Sequence, residues 1–198
     1  MIFSLFQRKK SNRRVVERQY ELITRAARRP VFYAAMDVPD TVMGRFEMVS
    51  VHLMLYLRAS NGAGETAAAI AQEIVDAFFE DVDHSIRELG VGDTSVPKRM
   101  KKFGKMFYGR TKAYEDAIAA GDADALAAAL ARNIHPELDG NRPSMHALAH
   151  YMMAANEELA LASRPDFEAG KVTFPDTGSG EGNAIHEKAK SDDEATRA

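Results

Sequence analysis

GVGDTSVPKRMKKFGKMFYGRTKAYEDAI, residues 90–118, decides how the chain folds. Gly90 and Gly92 admit backbone angles that stop a preceding helix, and Asp93, Thr94 and Ser95 each carry an oxygen able to cap free N–H groups. Pro97 is tolerated in a first helical turn, where its missing N–H has no partner to lose. A helix is therefore predicted from near Ser95. On a helical wheel Met100, Phe103, Phe107, Tyr114 and Ile118 share one face, and Lys98, Lys101, Lys102, Lys105 and Lys112 share the other. One side packs on a core, and the other faces water or an anionic surface.

Residues 97–112 hold seven cations, Lys98, Arg99, Lys101, Lys102, Lys105, Arg110 and Lys112, and no acid. A solvated helix face is the plain reading of such a run. A face built only for solubility, however, mixes signs and uses i,i+4 acid partners, which are not expected here.

A second stretch, PDTVMGRFEMVSVHLMLYLR at residues 39–58, accompanies the first. In order and spacing the two motifs resemble the ubiquinol-cytochrome c chaperone family, assembly factors of cytochrome b in the respiratory bc1 complex. The resemblance extends over about residues 15–160. It implies a non-enzymatic protein that receives newly made cytochrome b or other bc1 subunits. Mitochondrial members work with a small helical partner near the ribosome exit. On these motifs the partner-binding candidates are Arg45, Phe46, His52, Asp93, Lys98, Arg99, Lys101, Lys102, Lys105, Phe107, Tyr108 and Arg110. The basic residues among them would face ribosomal RNA, an anionic membrane or acidic client loops.

The length of 198 residues suits a single core with ends to spare. Apolar residues at 45% and charged residues at 28% are ordinary for a globular protein. The net charge of -3 is unevenly spread: residues 1–29 carry nine Lys/Arg against two Glu, and residues 64–93 carry eight acids against Arg87. With no cysteine there is no disulfide, thiol catalysis or thiolate metal site. In residues 1–6 the apolar side chains precede the cations, the reverse of a secretory signal, and no segment reaches about twenty uncharged apolar residues. The expected location is cytoplasmic, peripheral on the inner face of the inner membrane.

Residues 1–12 read as a basic and apolar arm, by the plainer reading a frayed end, whose Ile2, Phe3, Leu5 and Phe6 would also suit an anionic membrane surface. Helical periodicity then runs from Arg13 to Arg29, with Val16, Tyr20, Ile23 and Ala27 on one stripe, and a packed connector follows over residues 30–39. Asp40 or Thr41 caps a helix that is apolar nearly all round as far as Ala59 and so belongs in the middle of a bundle. The charges within it must be paired, and an internal link from Arg45 to Glu47 or to a carboxylate of the next helix is expected. Residues 65–89 are amphipathic, with Glu73, Asp76, Glu80 and Asp83 opposite the apolar face, either paired with the lysine face or in water. A short alanine-rich helix over 123–133 and a last helix from Ser144 to about Ala162 complete the domain. The reading is an all-α bundle or orthogonal array of about six helices in one domain, residues 13–165. A mostly disordered acidic tail follows over 166–198, clearest over 176–198.

His146 and His150 stand i,i+4 on a helix, yet the glutamate of a zinc protease motif and a third ligand are missing, so two packed histidines are expected and no metal. No phosphate loop or nucleophile elbow appears, and no cofactor or small-molecule substrate is expected. Met43, Met48, Met54, Met100, Met106, Met152 and Met153 suit core filling; a chaperone groove would need some of them exposed. The alternative function is a basic-helix nucleic-acid-binding or ribosome-binding module. It is weakened because the cations are not interleaved with exposed aromatics.

Overall fold

The structure, a computed structural model, describes residues 2–138 and 142–177, with side chains from residue 13 onward. Eight helices follow one another: α1 Ile2–Ala27, α2 Pro30–Ala35, α3 Val42–Ser60, α4 Glu65–Glu88, α5 Val96–Ala120, α6 Ala123–Ile134, α7 His146–Leu159 and α8 Arg164–Ala169. Six are long, α2 and α8 span six residues each, and no strand occurs among the described residues. The all-α reading holds.

Helix α3 lies at the centre and packs against α1, α4, α5 and α7. That position follows from its sequence, since Met48, Val51, Leu53, Met54, Leu55 and Tyr56 point in several directions and all are buried. Thr41 caps it, accepting from the Gly44 N–H at 3.1 Å. Gly44 cannot be larger, because a Cβ there would meet the Pro39 carbonyl oxygen at 1.9 Å.

The helix stops behave much as the sequence suggests. Gly90 takes φ +77° after α4, whereas Gly92 does not use a left-handed angle. Gly121 takes φ +66° after α5, and Asp122 caps α6 by accepting from the Ala125 N–H at 2.8 Å. Three boundaries differ. Helix α1 starts at Ile2 rather than Arg13. The connector after Pro30 contains a helical turn that buries Phe32. Ser144 does not cap α7; its hydroxyl hydrogen-bonds the His146 ring at 2.6 Å instead.

The largest departure follows Leu159. Ser163 and Asp166 form a capping box that starts α8, and Gly170 at φ +62° turns the chain back across α1. Phe167, Val172 and Phe174 are buried, so the packed domain continues through residue 176 and does not end at 165. Buried apolar side chains and the bonds that Gln19 and Arg29 make to its backbone hold a stretch that composition reads as tail. Residues 178–198 lie outside the described residues.

Candidate functional site

Helix α5 is two-sided as its wheel requires: Phe107, Tyr114 and Ile118 are buried, while Lys98, Arg99, Lys101, Lys102 and Lys105 are exposed. None of these five cations has an ion pair or hydrogen bond among the described residues. The acids of α4 do not cross to them. Asp83 binds Arg87 on its own helix at 2.6 Å, and Asp76 accepts from Gln72 at 2.9 Å. Helices α4 and α5 are in contact, yet the acids of the one and these cations of the other form no ion pair among the described residues.

Aromatic side chains mark the seam. Tyr108 is 62% exposed and stacks with Phe79 of α4, ring centroids 6.4 Å apart. Phe79 in turn lines an open groove of about 510 Å³ with Asp76, Glu80, Asp83 and His84. The basic strip thus does have an exposed aromatic neighbour, contrary to the expectation from sequence. Leu89, the C-cap of α4, is 62% exposed. The methionines mainly fill the core: Met48, Met54 and Met152 are buried, Met100, Met106 and Met153 half-buried, and Met43 exposed.

The other candidates separate into surface and interior. Arg45 is exposed and pairs with Asp40 at 2.8 Å, so the expected internal link to Glu47 does not form. It cannot form on one helix, since residues two apart point in different directions. Asp93 pairs with Arg87 at 2.5 Å rather than capping α5. Phe46, His52 and Phe107 are buried and present no surface to a partner.

Arg110 is corrected from the basic face to the interior. Its guanidinium, 13% exposed, donates to the Glu47 carboxylate of α3 and to the Asn133 carbonyl oxygen at 3.3 Å, tying α5 to α3 and α6. Glu47 is 3% exposed, and burial pushes its carboxyl up to about 7 although the Arg110 charge and hydrogen bond pull it down. Burial and the Glu47 charge also raise the Tyr114 hydroxyl. Lys112 leaves the unpaired set too, bound to Asp116 at 2.9 Å in the i,i+4 pair that was not expected.

His52 is fully buried. Its Nδ1 lies 2.8 Å from the Met48 carbonyl oxygen, which accepts, and its Nε2 lies 2.9 Å from the Tyr151 hydroxyl, so both ring nitrogens are satisfied in a neutral ring. Burial lowers its pKa to about 4. Phe32 and Phe174 meet the ring edge-on at 5.4 and 4.8 Å. Gln19, which the helical stripe of α1 did not include, is also fully buried: its side chain donates to the Val172 carbonyl at 2.8 Å and accepts the Val172 N–H at 3.0 Å. A glutamine at a core register, three residues from Val16 and four from Ile23, was the available signal.

His146 bonds Asp124 at 2.9 Å and stands beside His150, with ring centroids 6.5 Å apart. The described residues contain no cluster of three or more metal-ligating side chains, and no helix among them is long and apolar enough to cross a membrane. What the surface offers is a patch of fixed positive charge beside an exposed aromatic and an acidic groove, the elements of macromolecular recognition.

The Brucella abortus Cbp3 homolog, solved by crystallography, superposes with a TM-score of 0.82 at 49% sequence identity, covering 90% of this chain and 99% of that one. Ubiquinol-cytochrome-c reductase complex assembly factor 1 of Xenopus laevis is 26% identical over 103 residues, 52% of this chain and 51% of the relative. The Mus musculus factor is 26% identical over 121 residues, 61% of this chain and 41% of the relative. The chain thus spans about half the length, or less, of the curated relatives it matches. The family described as ubiquinol-cytochrome C chaperone matches residues 34–174, which takes in both sequence motifs, the Glu47–Arg110 tie and the returning segment through Phe174. The chain belongs to the ubiquinol-cytochrome c chaperone family.

Proposed function

We propose that this protein is a non-enzymatic chaperone in the assembly of ubiquinol-cytochrome c reductase, that its client is newly made cytochrome b or another subunit of that complex, and that it works peripherally at the inner face of the membrane. The observation that carries the reading is the family match over residues 34–174, supported by the fold shared with the Brucella Cbp3 homolog. The exposed strip Lys98, Arg99, Lys101, Lys102 and Lys105 is the partner contact in this reading. Five cations with no partner of their own among the described residues are a standing positive potential that an anionic surface would neutralise. Arg110, Phe46, His52 and Phe107 contribute by fixing α3 and α5 and do not touch the client directly.

The test is a tagged pull-down from membranes of the native cell, with Lys98, Lys101, Lys102 and Lys105 all changed to Glu in a parallel sample. Recovery of cytochrome b or other bc1 subunits with the unmodified chain, lost in the variant, supports the reading; recovery of neither sample's subunits rejects it. Tyr108 favours a second reading, in which the strip binds ribosomal or other nucleic acid, with the exposed ring available to stack on a base. Its signature is nucleic acid in the pull-down and an affinity that falls steeply with salt.

A further inference from the structure

Residues 171–176, KVTFPD, follow α8 without forming a helix. Lys171 and Thr173 are exposed while Val172 and Phe174 are buried, the alternation of an extended chain, and Pro175 after them is buried as well. The body of the protein grips this segment mainly by its backbone. Gln19 of α1 takes both the N–H and the carbonyl of Val172, and Arg29, the N-cap residue of α2 just past the end of α1, donates to the carbonyls of Phe174 and Pro175. Arg29 also meets the Asp176 carboxylate at 3.4 Å. Between these two clamps Phe174 enters an aromatic pocket against the His52 ring, with Phe32 and Tyr151 packed on that same ring.

Backbone-directed bonds combined with pockets for alternate side chains are how proteins recognise extended peptides: the main-chain bonds hold any sequence, and the pockets select. A buried glutamine amide whose nitrogen and oxygen both bond one residue's peptide groups serves backbone recognition, because an apolar contact would have sufficed to pack the Val172 side chain. We propose that the trough formed by α1, α2, α3 and α7 is a peptide-binding site which the chain fills with its own residues 171–176. Its external ligand is an extended segment of a partner protein carrying two apolar side chains two residues apart. The strap holds the site closed until such a segment displaces it. The inference goes beyond the assembly reading and does not depend on which client the protein serves.

The probe is a fluorescently labelled peptide of sequence KVTFPD, blocked at both ends, titrated into the full chain and into the full chain with Val172→Asp and Phe174→Asp. Two buried charges should eject the strap and leave the trough intact. With the strap no longer competing, the competent fraction rises, and affinity for the probe should increase roughly tenfold or more over the unmodified chain. Adding Gln19→Ala to the double variant should remove most of that gain, and a peptide with Asp in place of both apolar residues should not bind. Equal probe binding by the unmodified and double-variant chains overturns the proposal. So does a gain that survives Gln19→Ala. Loss of helical circular dichroism in the double variant overturns it as well, since the strap is then an inseparable part of the core. No respiratory-chain protein enters the assay, so its outcome and that of the membrane pull-down are independent.

Discussion

In its first half, from Lys98 to Lys105, helix α5 holds five cations in water with no acid bonded to any of them among the described residues. In its second half Arg110 turns inward onto buried Glu47, and Lys112 is paired with Asp116. Residue type is the same throughout, and what differs is the neighbour. Around Arg110 the facing helices α3 and α6 supply a carboxylate and a carbonyl; no described group bonds Lys101 or Lys102. An interior cation fixes how helices pack, and an exterior unpaired one is left for something outside the chain.

The largest effect should come from breaking the interior half. Arg110→Ala leaves Glu47 buried and uncompensated, which costs about 3–5 kcal/mol in typical cases. A denaturant titration should show this as a much lower midpoint, whereas Lys105→Ala should move stability by no more than about 0.5 kcal/mol. Equal effects from the two changes would erase the distinction between the halves.

Stability against pH sharpens it. The Glu47 carboxyl is raised from 4.5 to about 7, so the folded state binds more protons across that window, and its contribution is full below pH 4.5 and lost as pH rises through 7. The size of that term is on the order of 3 kcal/mol. His52 runs the other way: lowered from 6.5 to about 4, it contributes above pH 6.5 and loses that contribution as pH falls toward 4. Between pH 4.5 and 6.5 the two slopes oppose each other. Glu47→Gln should remove the first and expose the second, giving stability that climbs with pH up to about 6.5, measurable by denaturation at a series of pH values. A smaller loss follows from Tyr151→Phe, which strips the His52 Nε2 of its partner and should cost about 1–3 kcal/mol in the same measurement.

These interior groups were the part of the molecule that the sequence revealed least. The core faces of α4 and α5 were legible because periodicity reports which way a side chain points. Gly90 was legible because a left-handed turn leaves few alternatives. Arg110 was not, because it falls within a basic run and its partner lies 63 residues away. Neither was the strap, whose Val172 and Phe174 are held by Gln19 and Arg29 from the opposite end of the chain. Local pattern locates elements and their faces, while pairing between distant elements depends on a topology that no single stretch encodes. The exposed strip was legible only as part of a run of seven cations without an acid, and it took the fold to separate the five left in water from Arg110 and Lys112.

The smallest expected change bears most directly on that strip. Lys98 stands at the third position of α5, after Val96 and Pro97, where the helix N-terminus carries partial positive charge and no acid occupies the first turn. A cation there is repelled, and Lys101 and Lys102 lie three and four residues on, adding like charge on the same surface. Lys98→Glu replaces repulsion with attraction at both, so stability should rise by about 0.3–1 kcal/mol at low ionic strength and the gain should shrink with added salt. A sequence shaped for stability alone would carry the acid. If the same variant pulls down bc1 subunits less well while resisting denaturant better, the lysine is retained for binding at the expense of the helix; if it is destabilised instead, Lys98 has an internal partner and the strip is not the free surface described.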